Sequence, residues 1–176
     1  MAKVWSNNLV DSKTGELLYK YEKRGVERIN EYGYLFKSNA NKATTYSFIS
    51  LPEELSDSDL GKVYRLKNSI EKNSNMLRIR KSKGYYPMQR DDFEKIWGLK
   101  KRRTNGLLNK LINLGVIAKI TIEVEFDVRV QFYMNPLYFH NGSRINPTLY
   151  NIFSEQLRPY FPQWVVDEFE RELETS

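Results

Sequence analysis

Between residues 86 and 117 the spacing of apolar positions changes from helical to alternating, and the rest of the chain is organised around that change. Phe93, Ile96 and Trp97 recur at helical spacing and predict a helix over about residues 90–97, ended at Gly98, which can turn without a Cβ penalty. Thr104, Leu107, Leu108, Leu111 and Ile112 fall at i, i+3, i+4, i+7 and i+8, so a second helix from near Lys100 turns one apolar stripe toward a core. Gly115 closes it. From Val116 the pattern alternates, and residues 118–124 and 128–133 read as a hairpin with Glu125, Phe126 and Asp127 at its tip.

Upstream, Leu60, Val63, Leu66 and Ile70 predict a helix over about residues 58–70, capped by Ser56 or Ser58. Residues 51–55 look like a short helix opening before it. Residues 72–75 read as its end or an exposed turn, and residues 76–80 alternate apolar and basic as a short strand carrying Arg78 and Arg80. Nearer the start, a turn signal at residues 11–15 between short apolar runs fits a hairpin or a loosely docked arm, and residues 33–51 are aromatic and β-prone. Beyond Asn135-Pro136, Pro147 opens a helix broken at Pro159 and Pro162, and an amphipathic helix follows over about residues 163–174. The expected fold is therefore α+β: a β-rich N-terminal arm (1–57), a winged helix-turn-helix core (58–142) and an acidic helical tail (143–176).

Charge sharpens this picture. The formal net charge of +6 and a pI near 9.3 favour a polyanionic partner. Between Glu94 and Glu123 there is no carboxylate, while Lys95, Lys100, Lys101, Arg102, Arg103, Lys110 and Lys119 are all cationic. On the second helix Lys101, Arg102, Asn105 and Asn109 face outward, with Arg103 near the border. Cations at a helix start oppose its dipole at a cost of roughly 0.3–1 kcal/mol each, a penalty that a bound polyanion would relieve. Long cations there suit phosphates and guanine edges, and asparagines suit adenine, in a major groove. Arg90, Arg78 and Arg80 are further candidate contacts. The hairpin tip, with Glu123, Glu125 and Asp127 against Arg129, suits a structural or partner-facing role better than a grip on phosphate.

The tail reverses the charge, setting Glu155, Asp167, Glu168, Glu170, Glu172 and Glu174 against Arg158 and Arg171. Its last helix puts Trp164, Val165, Phe169 and Leu173 on one side, to pack on its own core or to dock a second copy or a host replication or transcription protein. With no cysteine and His140 as the single histidine, disulfides, thiolate metal sites and histidine zinc clusters are excluded, and no cofactor is expected. A tyrosine nickase needs paired histidines around a metal, and the Arg and His set of a tyrosine recombinase cannot be assembled, so no catalysis is expected. Asp91 and Asp92 have a plain helix-start explanation. No apolar run approaches the roughly 18 residues of a membrane span, and residues 1–5 lead into polar sequence without a signal-peptide core, so a cytoplasmic protein is expected.

Three segments carry a resemblance: Asp91-Asp92-Phe93-Glu94-Lys95-Ile96-Trp97-Gly98-Leu99-Lys100-Lys101-Arg102, then Leu111-Ile112-Asn113-Leu114-Gly115-Val116-Ile117, then Phe132-Tyr133-Met134-Asn135-Pro136 with Gly142. Over about residues 58–142 the chain resembles the winged-helix replication proteins of Firmicute plasmids, the RepL type, and their phage and prophage relatives. In that group a Tyr-x-Asn-Pro stretch follows the wing and a glycine closes the segment. The resemblance implies double-stranded DNA as partner, bound at a replication origin or, as in transcription regulators that share the helix-turn-helix, at an operator. The alternative is a protein-interaction module on the same fold.

Overall fold

The computed structural model describes residues 4–10, 17–24, 29–30, 33–35, 47–124 and 127–174. The first half is a run of short strands and one helix: β1 (Val4–Val10), β2 (Leu17–Arg24), β3 (Ile29–Asn30), β4 (Gly33–Leu35), α1 (Asp57–Arg65), β5 (Arg78–Lys81) and β6 (Gly84–Pro87). Two helices and a long hairpin follow: α2 (Arg90–Trp97), α3 (Lys101–Asn113), β7 (Ile117–Val124) and β8 (Asp127–Met134). Then come β9 (Arg144–Ile145), α4 (Pro147–Ile152), α5 (Ser154–Leu157) and α6 (Gln163–Glu174). The chain is thus mixed α+β, with small antiparallel sheets: β1 with β2, β3-β4-β9, β5 with β6, and β7 with β8. Of the two N-terminal alternatives the paired strands β1 and β2 match the hairpin; the turn expected at residues 11–15 lies outside the described residues.

Three local expectations are corrected. Residues 51–55 make a single turn, Leu55 N–H donating to Pro52 O at 3.1 Å, and the helix opens only at Asp57, where the Ser56 hydroxyl accepts from Asp59 N–H at 3.2 Å. That helix does not reach Ile70. It tightens into a 3-10 turn over Leu66–Ser69 because Ile70 is extended and bridges Leu77. Ser47, Phe48 and Ile49 are not a strand: the N–H groups of Phe48 and Ile49 both go to Leu137 O, and residues 44–46 lie outside the described residues.

The β7–β8 hairpin separates two apolar clusters. Strand side chains alternate between faces, and the register pairs Ile117 with Met134 and Ala118 with Tyr133. Ile117, Phe132 and Met134 face the helices α1, α2 and α3, meeting Val63, Leu66, Phe93, Leu108 and Leu111. Phe93 lies edge-on to Phe132 with ring centroids 5.1 Å apart. Ala118, Ile120 and Tyr133 face the other cluster, built by Tyr34, Ile145, Tyr150, Phe161, Val165 and Phe169. β4 joins this second cluster through β9, and Gly33 makes that crossing possible: a Cβ there would lie 2.1 Å from the Ile145 carbonyl oxygen, at a φ of +102°.

Asparagines brace the base of the hairpin. Asn75, expected in an exposed turn, is fully buried with a left-handed φ of 55°. Its side-chain amide donates to Met134 O (3.1 Å) and Phe139 O (2.7 Å), while its Oδ1 accepts from Asn141 N–H (3.0 Å) and faces His140 Nδ1 (3.2 Å). Because Oδ1 can only accept, the His140 proton belongs on Nδ1. Asn135 donates to Gly115 O at 2.8 Å and accepts from Leu137 N–H, tying the end of α3 to the end of β8. The Asn-Pro segment that carried the resemblance is therefore an internal brace in this chain.

His140 gives this brace a pH dependence. Burial pushes its pKa down to about 4, only partly offset by a hydrogen bond with the Arg144 backbone. The folded value lies below the unfolded one near 6.5, so the unfolded chain binds the extra proton between them. Stability is then full above pH 6.5 and falls as pH drops toward 4, by at most about 3 kcal/mol. Asp59 titrates lower: burial would raise its carboxyl, but hydrogen bonds with Lys110 and Ser56 and the Lys110 charge hold it below its usual value. Urea midpoints measured from pH 7 to 5 should decline for the parent chain and stay nearly flat for His140→Gln. Parallel curves would remove His140 as the cause.

Candidate nucleic-acid interface

The two central helices meet through a tight turn. In α2 the buried Asp92 carboxylate accepts from Gln89 N–H at 2.9 Å, which satisfies one of the free donors of the first turn. Gly98 ends the helix in the left-handed conformation with a φ of 65°. Trp97 Nε1 donates to Lys62 O at 3.0 Å and anchors α2 on α1. α3 then buries Thr104, Leu107, Leu108 and Leu111 as the apolar spacing predicts.

That burial fixes which side of α3 meets solvent. Lys100, Lys101, Arg102, Arg103 and Asn109 are exposed, and Asn105 is half-buried. At 100° per residue Arg102, Gly106 and Asn109 sit at the centre of the outer face. Asn105 marks one edge, where Arg90 Nη1 approaches its Oδ1 at 3.5 Å. Lys110 marks the other, paired with Asp59 of α1 at 3.1 Å. α3 has no side-chain cap and no acid in its first turn, so its free N–H groups and its cations share one end. Gly106 carries no charge and no part of the apolar spacing, so the sequence pattern gives no signal for it. It costs roughly 0.5–1 kcal/mol relative to alanine in a helix interior, and nothing lies within 4 Å of where its Cβ would be. A glycine on an open outer face keeps the backbone accessible to a close ligand.

A groove of about 470 Å³ runs beside this face, lined by Gln89, Arg90, Asp91, Lys119, Val130 and Phe132. Lys119, exposed on β7 opposite Phe132, thus joins Arg90 at the rim, and its strand register is the signal that could have found it. The strand expected at residues 76–80 is shifted and doubled into β5 and β6, so Arg80 is exposed opposite Tyr85, whereas Arg78 is held by Glu71 and by Tyr85 O. Arg78 is thereby a brace first. The hairpin tip beyond Glu123 includes residues 125–126, which lie outside the described residues.

The tail residues are distributed differently from the sequence expectation. Val165 and Phe169 are fully buried in their own chain, Phe169 against Tyr150 at 4.8 Å between centroids, so they are not available to a second copy. Trp164 is 48% exposed and lies edge-on to Tyr34 at 6.0 Å. The side chain of Leu173 lies outside what is described. Among the described residues no group of three metal-ligating side chains occurs, and no helix is long and apolar enough to cross a membrane. Comparison of the chain with family models, with curated proteins and with solved structures gave no match.

Proposed function

We propose that this chain is a sequence-specific, double-stranded DNA-binding protein of the phage or plasmid type, with no catalytic role, acting as a transcription regulator or replication initiator. In this reading residues 58–142 form a winged helix-turn-helix unit, α3 is the recognition helix and β7–β8 the wing. The observation that carries it is the outer face of α3, where uncapped N–H groups, Lys101, Arg102 and Arg103 face solvent without a carboxylate among them. Arg102 and Asn109 would meet base edges, and Lys100, Arg90 and Lys119 would meet phosphates. The resemblance over residues 58–142 supports the same reading and favours an origin or operator as the site.

Retention of fragments of the source genome by the full chain, with salt varied, tests it. One fragment should be held tightly, with log affinity falling linearly with log salt at a slope of about 0.9 per phosphate contacted. An origin fragment would assign an initiator and a promoter fragment a regulator. Exposed Glu123 and Val128 near the wing tip favour a protein partner as the second reading. No retention at any salt would put that reading first.

A further inference from the structure

The β5–β6 ribbon carries a surface that duplex binding does not use. Its register pairs Arg80 with Tyr85 and Ile79 with Tyr86, so the two tyrosines lie on opposite sides. One side turns inward: Ile79 packs on the helical cluster, and Lys81 reaches the Asp92 carboxylate at 3.3 Å. On the other side Tyr85 is 60% exposed, and among the described residues no aromatic ring contacts it. An open groove of about 320 Å³ lies beside the Tyr85 ring, lined also by Asn68, Lys72 and Arg78.

This groove is held in shape and its charge is one-signed in effect. Arg78 donates to Tyr85 O at 2.7 Å and so fixes the strand that bears the ring. Glu71 also lines the groove, but Arg78 holds one carboxylate oxygen and the Ser74 hydroxyl donates to the other at 2.7 Å. Lys72 on the groove wall, Arg80 opposite Tyr85 in the ribbon and Lys83 in the ribbon's turn are exposed, and among the described residues none of them is ion-paired. An exposed ring flanked by free cations is what a single strand of nucleic acid requires: the ring stacks on a base of any identity, and the cations follow the backbone. The ribbon is linked to the α3 face through its inward side, since Lys81 touches Asp92 in the first turn of α2 and Arg90 of the same turn reaches Asn105.

Resting on the duplex-binding reading above, we propose that this ribbon binds an unpaired DNA strand beside the duplex held by α3. One base stacks on Tyr85 in the groove, and flanking phosphates meet Lys72, Arg80 and Lys83. The site serves a protein whose target is opened next to where it binds.

The test compares a labelled duplex with the same duplex carrying an oligo(dT) tail or an abasic tail, titrated with the full chain. The dT tail should tighten binding by about tenfold and the abasic tail by much less, because stacking needs a base. Tyr85→Ala should abolish that gain while duplex affinity stays within about twofold, and Tyr85→Trp should keep it. Equal gains from the two tails, no gain from either, or a gain that survives Tyr85→Ala would overturn the proposal. Failure of the underlying reading has a different signature: binding of oligo(dT) through Tyr85 with no binding of duplex.

Discussion

Replacing Lys101 and Arg102 with glutamate together is expected to weaken duplex binding by about a hundredfold at moderate salt, and to lower the slope of log affinity against log salt by about two. Both side chains are exposed at the start of α3, and among the described residues neither is ion-paired. Their removal therefore leaves nothing unsatisfied in the fold. The effect on stability should have the opposite sign. Carboxylates at a helix start favour the dipole by roughly 0.3–1 kcal/mol each, where the native cations oppose it. The variant should melt at or above the parent temperature while binding fails, which separates a lost contact from a lost fold. Fluorescence anisotropy and thermal unfolding on the same samples check both halves. Unchanged duplex affinity would sink the assignment of α3 as the recognition helix.

Asn75→Ala is expected to cost about 3–5 kcal/mol of folding stability, a large part of the roughly 5–15 kcal/mol available to a domain. The substitution leaves Met134 O without its side-chain donor, Phe139 O without its amide, and Asn141 N–H and His140 Nδ1 without their acceptor. A buried polar group left without a partner costs roughly 1–3 kcal/mol, and the total stays below the sum over the four groups because such losses within one network are not additive. Alanine is also strained at a φ of 55° by about 1–2 kcal/mol, which glycine would not be. Asn75→Gly should therefore be less damaging than Asn75→Ala, and the difference isolates the backbone term. Urea unfolding of the pair measures it; a loss below about 1 kcal/mol for both would show that the brace is dispensable.

The helices that were legible in the sequence are those whose burial has one period. α2, α3 and α6 lie within a residue or so of the spacing of Phe93 to Trp97, Thr104 to Ile112 and Trp164 to Phe169, because each buries one stripe, whereas β7 and β8, which bury both faces, were marked by their run of β-prone residues from Ile117 to Tyr133. The outward set on α3 followed from the same stripe by subtraction. What was not legible depends on partners far along the chain. Asn75 reads as a turn residue until Met134, Phe139 and Asn141 are brought around it, and polar residues with local turn explanations hide such roles. The apolar stripe of α6 has the pattern of an interface, but Tyr34, Tyr150 and Phe161 cover it from within. β6 was not legible because Gly84, Tyr85, Tyr86 and Pro87 form a strand too short to show a period.

The two-faced β7–β8 hairpin couples the two apolar clusters mechanically. Phe132 and Met134 are part of the wall on which α3 rests, and Tyr133, one residue away on the same strand, is part of the wall that α4 and α6 cover. Cutting the chain after Gly142 would strip one side of that wall and leave Ala118, Ile120 and Tyr133 facing water on a two-stranded sheet, an arrangement only marginally stable alone. The shortest fragment that holds α3 in position therefore extends through the tail, and damage near the C-terminus reaches α3 through the two strands of the hairpin.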